Sequence, residues 1–256
     1  MDSPGDPGAA REEPGVGAVT FSSTSGDVPG WVAGPPDGAR GPGVVVLHDA
    51  GGMTRDLREQ AGWLASEGFW AAAPDLYRGG APVRCMVRMM RDLLAGREDE
   101  AMAAIESART WLIEHPRCTG KVGVIGFCMG GGFALMLASR ERYDAASVNY
   151  GGMSEQTAAA LASACPIVAS YGGRDPTLRG AATRLRGLLR RHGVVHDVKE
   201  YPEAGHGFMN DHPRGELPWA FTLLARASGT RFDPEATRDA RARIVAFFRE
   251  HLRDVA

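Results

Sequence analysis

The chain has 256 residues, 44% of them apolar and 23% charged, with a formal net charge of −2. That length suits one large α/β domain, and the apolar share is enough to bury a real core. The near-neutral balance gives no electrostatic basis for binding nucleic acid or an anionic membrane surface, and no apolar run approaches the roughly 20 residues needed to span a bilayer.

Residues 1–15 are rich in Pro, Gly and acidic side chains without an apolar pattern, and read as a flexible tail. They lack the basic start and apolar core of a secretory signal. Residues 16–256 read as a single domain. Residues 16–33 look like two short strands split by the turn segment Ser25-Gly26-Asp27, forming an antiparallel edge, and Pro35-Pro36-Asp37-Gly38 marks a loop. Val44 to Leu47 is a β-branched run of the kind buried on both faces of a sheet. Residues 54–67 place Leu57, Ala61 and Leu64 on one helical face. Phe69 to Ala73 is the next strand, closed by Pro74, and a less regular stretch follows. A helix then spans roughly 97–114, followed by a strand from Lys121 to Ile125 and a helix from Phe133 to Ser139. Ala145 to Val148 and Ile167 to Tyr171 are further strands, residues 178–191 a helix, Val194 to Tyr201 a last strand, and residues 234–253 a last helix. Strands alternating with helices predict a mostly parallel sheet covered on both faces, without a large lid.

In such a sheet, chemistry belongs at the carboxyl ends of the strands. Three loops there carry reactive side chains. Gly126-Phe127-Cys128-Met129-Gly130 lies between a strand and a helix and has the G-x-C-x-G form of a nucleophile elbow with sulfur in place of oxygen. The turn is tight, so side chains at Gly126 and Gly130 would collide with the neighbouring strand and helix. The thiol is lifted to the helix N-terminus, where the dipole favours thiolate. Asp175 follows the strand ending at Tyr171, and an acid there can orient an imidazole and stabilise its charged form. His206 stands between two glycines after the strand ending at Tyr201 and suits an exposed, mobile general base. The chain order nucleophile, acid, histidine is that of the α/β-hydrolases. The residue after the nucleophile, Met129, supplies one backbone N–H of an oxyanion hole. The four cysteines, Cys85, Cys118, Cys128 and Cys165, form no CxxC pair and imply neither a metal site nor a disulfide framework. A reduced, cytoplasmic setting fits them, and no cofactor is implied.

These motifs resemble the dienelactone hydrolase family, over roughly residues 16–253. The carrying segments are Val44–Gly52, Ala73-Pro74-Asp75-Leu76-Tyr77, Gly123-Val124-Ile125-Gly126-Phe127-Cys128-Met129-Gly130-Gly131 and Ala204-Gly205-His206-Gly207-Phe208. The resemblance implies an α/β-hydrolase fold and a triad of Cys128, His206 and Asp175. It places the second oxyanion N–H at Ala50. It also implies an auxiliary acid that pairs with the resting thiol; the family's usual residue there is Glu, and the matching position here is Asp49. The expected protein is a small hydrolase of activated carboxylic esters or lactones, a monomer or small homo-oligomer. Thioesters or xenobiotic esters are the alternative substrates on the same triad, and a non-catalytic binding protein is the alternative function. Dienelactone hydrolases proper hold the substrate carboxylate with arginines, one a few residues past the catalytic His. The stretch Phe208–His212 holds none, which argues against the dienelactone itself. Arg84, Arg88 and Arg91, at i, i+4 and i+7, line one face of a helix and are candidates for that anchor, beside a solvated basic face. Phe127 and Tyr150 are candidates to line the pocket. Residues 211–231, with Pro213, Pro218, Trp219 and Phe221, form an irregular insertion that either borders the pocket or is a surface loop.

Overall fold

Among the described residues, eight strands build one sheet: β1 (Val16–Phe21), β2 (Val28–Ala33), β3 (Gly41–Leu47), β4 (Trp70–Pro74), β5 (Cys118–Phe127), β6 (Ala145–Asn149), β7 (Ile167–Gly172) and β8 (His196–Tyr201). Their spatial order is β1-β2-β4-β3-β5-β6-β7-β8. Only the pairings β1–β2 and β2–β4 are antiparallel, and every other neighbour pair is parallel. This computed structural model describes residues 15–80, 82–94, 99–213, 215–216 and 229–253. The predicted tail, but for residue 15, and Pro218, Trp219 and Phe221 of the predicted insertion lie outside the described residues.

The run Val44–Leu47 sits in β3, hydrogen-bonded on one side to β4 and on the other to β5, and is fully buried. Side chains alternate along a strand, and the core divides accordingly. Val45 and Leu47 face α3 (Asp99–Glu114), α4 (Met129–Ala138) and α6 (Ala181–His192), where Ile105, Phe133 and Leu185 pack. Val44 and Val46 face α1 (Arg55–Ser66) and the C-terminal helix α7 (Pro234–His251), through Leu57, Leu64, Ile244 and Phe248. Two helix starts are set locally. Thr54 caps α1 by accepting from Leu57 N at 3.3 Å, and Asp233 caps α7 from Glu235 N and Ala236 N, with Pro234 in the first turn.

Two helices lie outside the elements predicted in chain order, although the Arg84, Arg88 and Arg91 spacing already implied the first. In the stretch after Pro74, residues Pro82–Leu94 form α2. Its Cys85 is buried while Val83 and Val87 are exposed. Glu155–Ala160 forms α5, six residues long and capped by the Ser154 side chain on Thr157 N. No helix among the described residues is long and apolar enough to cross a membrane.

Candidate active site

At the carboxyl end of β5 the chain turns through Cys128, whose φ of 54° and ψ of −111° lie where L-residues are strained. Cys128 N donates to Asn149 O at 3.0 Å. The glycines around it are required by contact. A Cβ at Gly126 would strike the Gly130 carbonyl, one at Gly130 the Leu47 and His48 carbonyls, and one at Gly131 the Asn149 carbonyl. The strand and helix therefore approach backbone to backbone, and the thiol stands at the first turn of α4.

Two further loops converge on it. His206 Nε2 lies 3.1 Å from Cys128 Sγ, and His206 Nδ1 lies 2.6 Å from Asp175 Oδ2. Asp175 is buried, and its Oδ1 accepts from Thr177 N at 2.8 Å and from Thr177 Oγ1 at 2.6 Å. Burial pushes the Asp175 carboxyl up, but the His206 and Thr177 hydrogen bonds outweigh it and hold the group below the usual carboxylate value. Burial likewise opposes a charged His206. The Asp175 hydrogen bond, then Cys128, outweighs it and pushes the imidazole up to about 10. The arrangement favours imidazolium beside sulfur.

His206 is not the exposed, mobile base that its glycine flanks predicted. Its side chain is 16% exposed and its ring meets the Tyr150 edge at a centroid distance of 5.3 Å. Gly205 is required because a Cβ there would strike the Gly229 carbonyl. Tyr150 is itself buried and donates its hydroxyl to Asn210 Oδ1. Asn210 and the Asp211 N–H bond to Asp56, and the Met209 carbonyl accepts from Gln60 Nε2 at 2.8 Å. Asp56 and Gln60 are buried on α1, so that helix clamps the segment beyond His206.

Other predicted site residues fall differently. Phe127 is fully buried and packs in the core on the α1 and α7 face. Tyr150 supports His206 from beneath. Arg84 and Arg88 are exposed on α2, and Arg88 pairs with Glu100 at 3.4 Å; no hydrogen bond or ion pair joins either to Cys128, His206 or Asp175. Asp49 makes no hydrogen bond to Cys128 among the described residues. Its Oδ1 accepts from Gly51 N at 2.7 Å and its Oδ2 lies 2.7 Å from His212 Nε2, so both oxygens are engaged elsewhere. Ala50 follows in the same loop, and its carbonyl accepts from the Tyr77 hydroxyl at 3.1 Å. Met129 opens α4, where the first N–H groups have no intrahelical acceptor.

Sequence reasoning missed Thr177, Asn210, Asp56, Gln60, His212 and Glu216. His212 stood in the stretch searched for an arginine, and an imidazole six residues beyond His206 was the available signal.

Residues 28–252 match the profile of the dienelactone hydrolase family. A carboxymethylenebutenolidase of Pseudomonas putida is 27% identical, covering 80% of this chain and 91% of its own length. The protein usf of Aquifex pyrophilus is 30% identical, covering 91% of this chain and 98% of its own. Among solved structures, a dienelactone hydrolase-like promiscuous phosphotriesterase from metagenomic libraries superposes with a TM-score of 0.72 at 23% identity, over 93% of this chain and all of the other. Dienelactone hydrolase from Anabaena variabilis gives 0.67 at 20%, over 93% and 98%. The structural likenesses speak for the shared fold, and the profile covers all but the first 27 and last four residues: the chain belongs to the dienelactone hydrolase family.

Proposed function

We propose that this protein hydrolyses activated carboxylic esters or lactones, with Cys128 as nucleophile, His206 as general base and acid, and Asp175 as its orienting acid. The observation that carries the reading is the unbroken line Asp175–His206–Cys128, with gaps of 2.6 and 3.1 Å. The relatives named for carboxymethylenebutenolidase activity support the same reaction class.

In the first half-reaction the Cys128 thiolate attacks the carbonyl carbon, and the π electrons move to oxygen. The N–H groups of Ala50 and Met129 meet that oxyanion. The intermediate collapses, the C–O bond breaks, and the departing alkoxide or enolate takes a proton from His206 Nε2. An acyl-thioester remains on Cys128. In the second half-reaction His206 removes a proton from water, hydroxide adds to the thioester, and collapse releases the acid and the thiolate. Asp175 stabilises the imidazolium throughout. A thiolate leaves as readily as it attacks, so amides and alkyl esters with poor leaving groups return to reactant from the first intermediate. Enol lactones, aryl esters and thioesters go forward. The absence of an arginine from Phe208–His212 disfavours an arginine-anchored dicarboxylate substrate relative to a neutral ester. A cytoplasmic setting suits a reaction that needs its thiol reduced.

The test is turnover of p-nitrophenyl esters, lactones and acyl-CoAs by the wild type and Cys128→Ala. The wild type should hydrolyse activated esters, with loss of at least about 10³-fold in kcat on removing the nucleophile. Near-normal turnover by Cys128→Ala would refute the assignment. No turnover together with no alkylation of Cys128 by iodoacetamide would favour a binding protein on this fold.

A further inference from the structure

A second imidazole near the site is held between two carboxylates. His212 Nε2 lies 2.7 Å from Asp49 Oδ2, and its Nδ1 lies 3.0 Å from Glu216 Oε2. Ionised carboxylates only accept hydrogen bonds, so both ring nitrogens must carry hydrogen, which makes the ring an imidazolium. The three side chains are 12–17% exposed, so this pairing is shielded from solvent competition. Carboxylates face the ring from three elements: Asp49 beyond β3, Glu216 on its own segment, and Asp56 on α1.

The two carboxylates lead to the two ends of one loop. Asp49 precedes Ala50, and Glu216 Oε1 accepts from Arg55 N at 2.6 Å, at the start of α1. His212 and Glu216, themselves paired, thus hold residues 49 and 55 at the two ends of the β3–α1 connection. A different histidine holds the peptide between. His48 Nδ1 lies 2.6 Å from the Asp49 carbonyl, while His48 Nε2 accepts from Leu76 N at 3.2 Å. That acceptance puts the hydrogen on Nδ1 and leaves His48 neutral, in keeping with its complete burial. The Asp49–Ala50 peptide is planar, so anchoring its carbonyl end aims its N–H the opposite way.

From this geometry we infer that His212 is a positioning residue for the oxyanion hole: held as a cation by Asp49 and Glu216, it fixes the loop whose Ala50 N–H meets the developing charge, with neutral His48 holding the carbonyl end of the same peptide. The inference rests on the ester-hydrolase reading above. It also explains how a carboxylate is tolerated one residue from an oxyanion site, because the His212 charge offsets that of Asp49. Preorganised donors lose their value when they are free to reorient, so the effect belongs to the transition state rather than to substrate binding.

The test compares wild type, His212→Ala and Glu216→Gln by kcat, KM, and the rate of Cys128 alkylation by iodoacetamide, which forms no oxyanion. His212→Ala should lower kcat about 10- to 100-fold, less than complete loss of an oxyanion donor, with KM and alkylation within about twofold. Glu216→Gln keeps an acceptor for Arg55 N but removes a negative charge facing His212, so the alkaline limb of kcat should move to lower pH. An unchanged kcat in His212→Ala overturns the inference. So does a parallel fall in alkylation, which would mean action on the thiol, and so does an unmoved alkaline limb in Glu216→Gln. If His212→Ala does not fold, Glu216→Gln decides. Failure of the underlying reading shows separately, as ester turnover retained in Cys128→Ala.

Discussion

At Cys128 the backbone holds a conformation that costs an L-residue on the order of 1–3 kcal/mol, and three glycines make room for it. Because the Cβ of an alanine at Gly130 would meet two rigid carbonyls rather than a side-chain tip, relief needs strand β3 or helix α4 to move. Gly130→Ala should therefore destabilise by about 1–3 kcal/mol, read as a lower urea midpoint at unchanged m-value, and should also displace the thiol and depress turnover. Asp175→Asn tests the electrostatic half of the same site. It removes the charge that most strongly opposes the burial cost of the His206 cation, so the imidazole should titrate well below its present value of about 10. The alkylation–pH profile of Cys128 should change with it, and kcat should fall by about 10³–10⁴-fold, as when an orienting acid is lost from a triad. A profile identical to wild type would separate Asp175 from His206 despite their 2.6 Å contact. Cys128, Asp175 and His206 were legible in the sequence because each sits in a glycine-flanked loop directly after a strand. His212 and Asp49 were not legible as partners, since their meeting across 163 positions is a product of folding.

Helix α1 was placed from its apolar spacing nearly to its true ends, but the same spacing hid what its polar residues do. Asp56 and Gln60 are polar and nevertheless buried. Gln60 donates to the Met209 carbonyl at 2.8 Å and accepts from Arg241 at 2.9 Å, joining α1 to both the segment after His206 and α7. Burial pushes the Asp56 carboxyl up despite its bonds to Asn210 and Asp211, so the element carries a desolvation cost in exchange for a fixed loop. Replacing Gln60 by Ala leaves the buried Met209 carbonyl without that donor, at a cost of about 1–3 kcal/mol. The expected outcome is a matching loss in chemical denaturation and a severalfold drop in kcat, because Asn210, Tyr150 and His206 are supported in series. If the stability loss appears with kcat untouched, the clamp serves the fold alone. Helix α2 was legible only through the i, i+4, i+7 spacing of Arg84, Arg88 and Arg91, and its buried Cys85 lies between exposed Val83 and Val87.

Over the whole molecule, alternation of strand and helix patterns was enough to predict a mostly parallel sheet with an antiparallel N-terminal edge. The order of its strands was not, because pairing such as β3 between β4 and β5 depends on which crossovers pack best rather than on any one segment. The folded molecule also has a pH signature that no segment carries alone. Asp49 and Asp175 are held below the ordinary carboxylate value by their histidine partners. Each adds stability above about pH 4 that is lost as pH falls through its lowered folded value. His212 works in the opposite direction. Burial opposes its charge, but the Asp49 hydrogen bond and charge, with Glu216 and Asp56, push it up from 6.5 to about 9. Its contribution is complete below pH 6.5 and disappears as pH rises through 9. The groups that raise His212 are all carboxylates. Through His212, stability should therefore decline as pH rises from about 6.5 towards 9, while buried, neutral His48 withdraws stability as pH falls below 6.5. In His212→Gln the Tm at pH 6 should be lower than wild type, but the slope between pH 6.5 and 9 should be shallower, because the group that releases the proton is gone. Thermal unfolding at half-unit pH steps measures both curves, and parallel slopes would mean that Asp49 and Glu216 do not hold His212 as a cation.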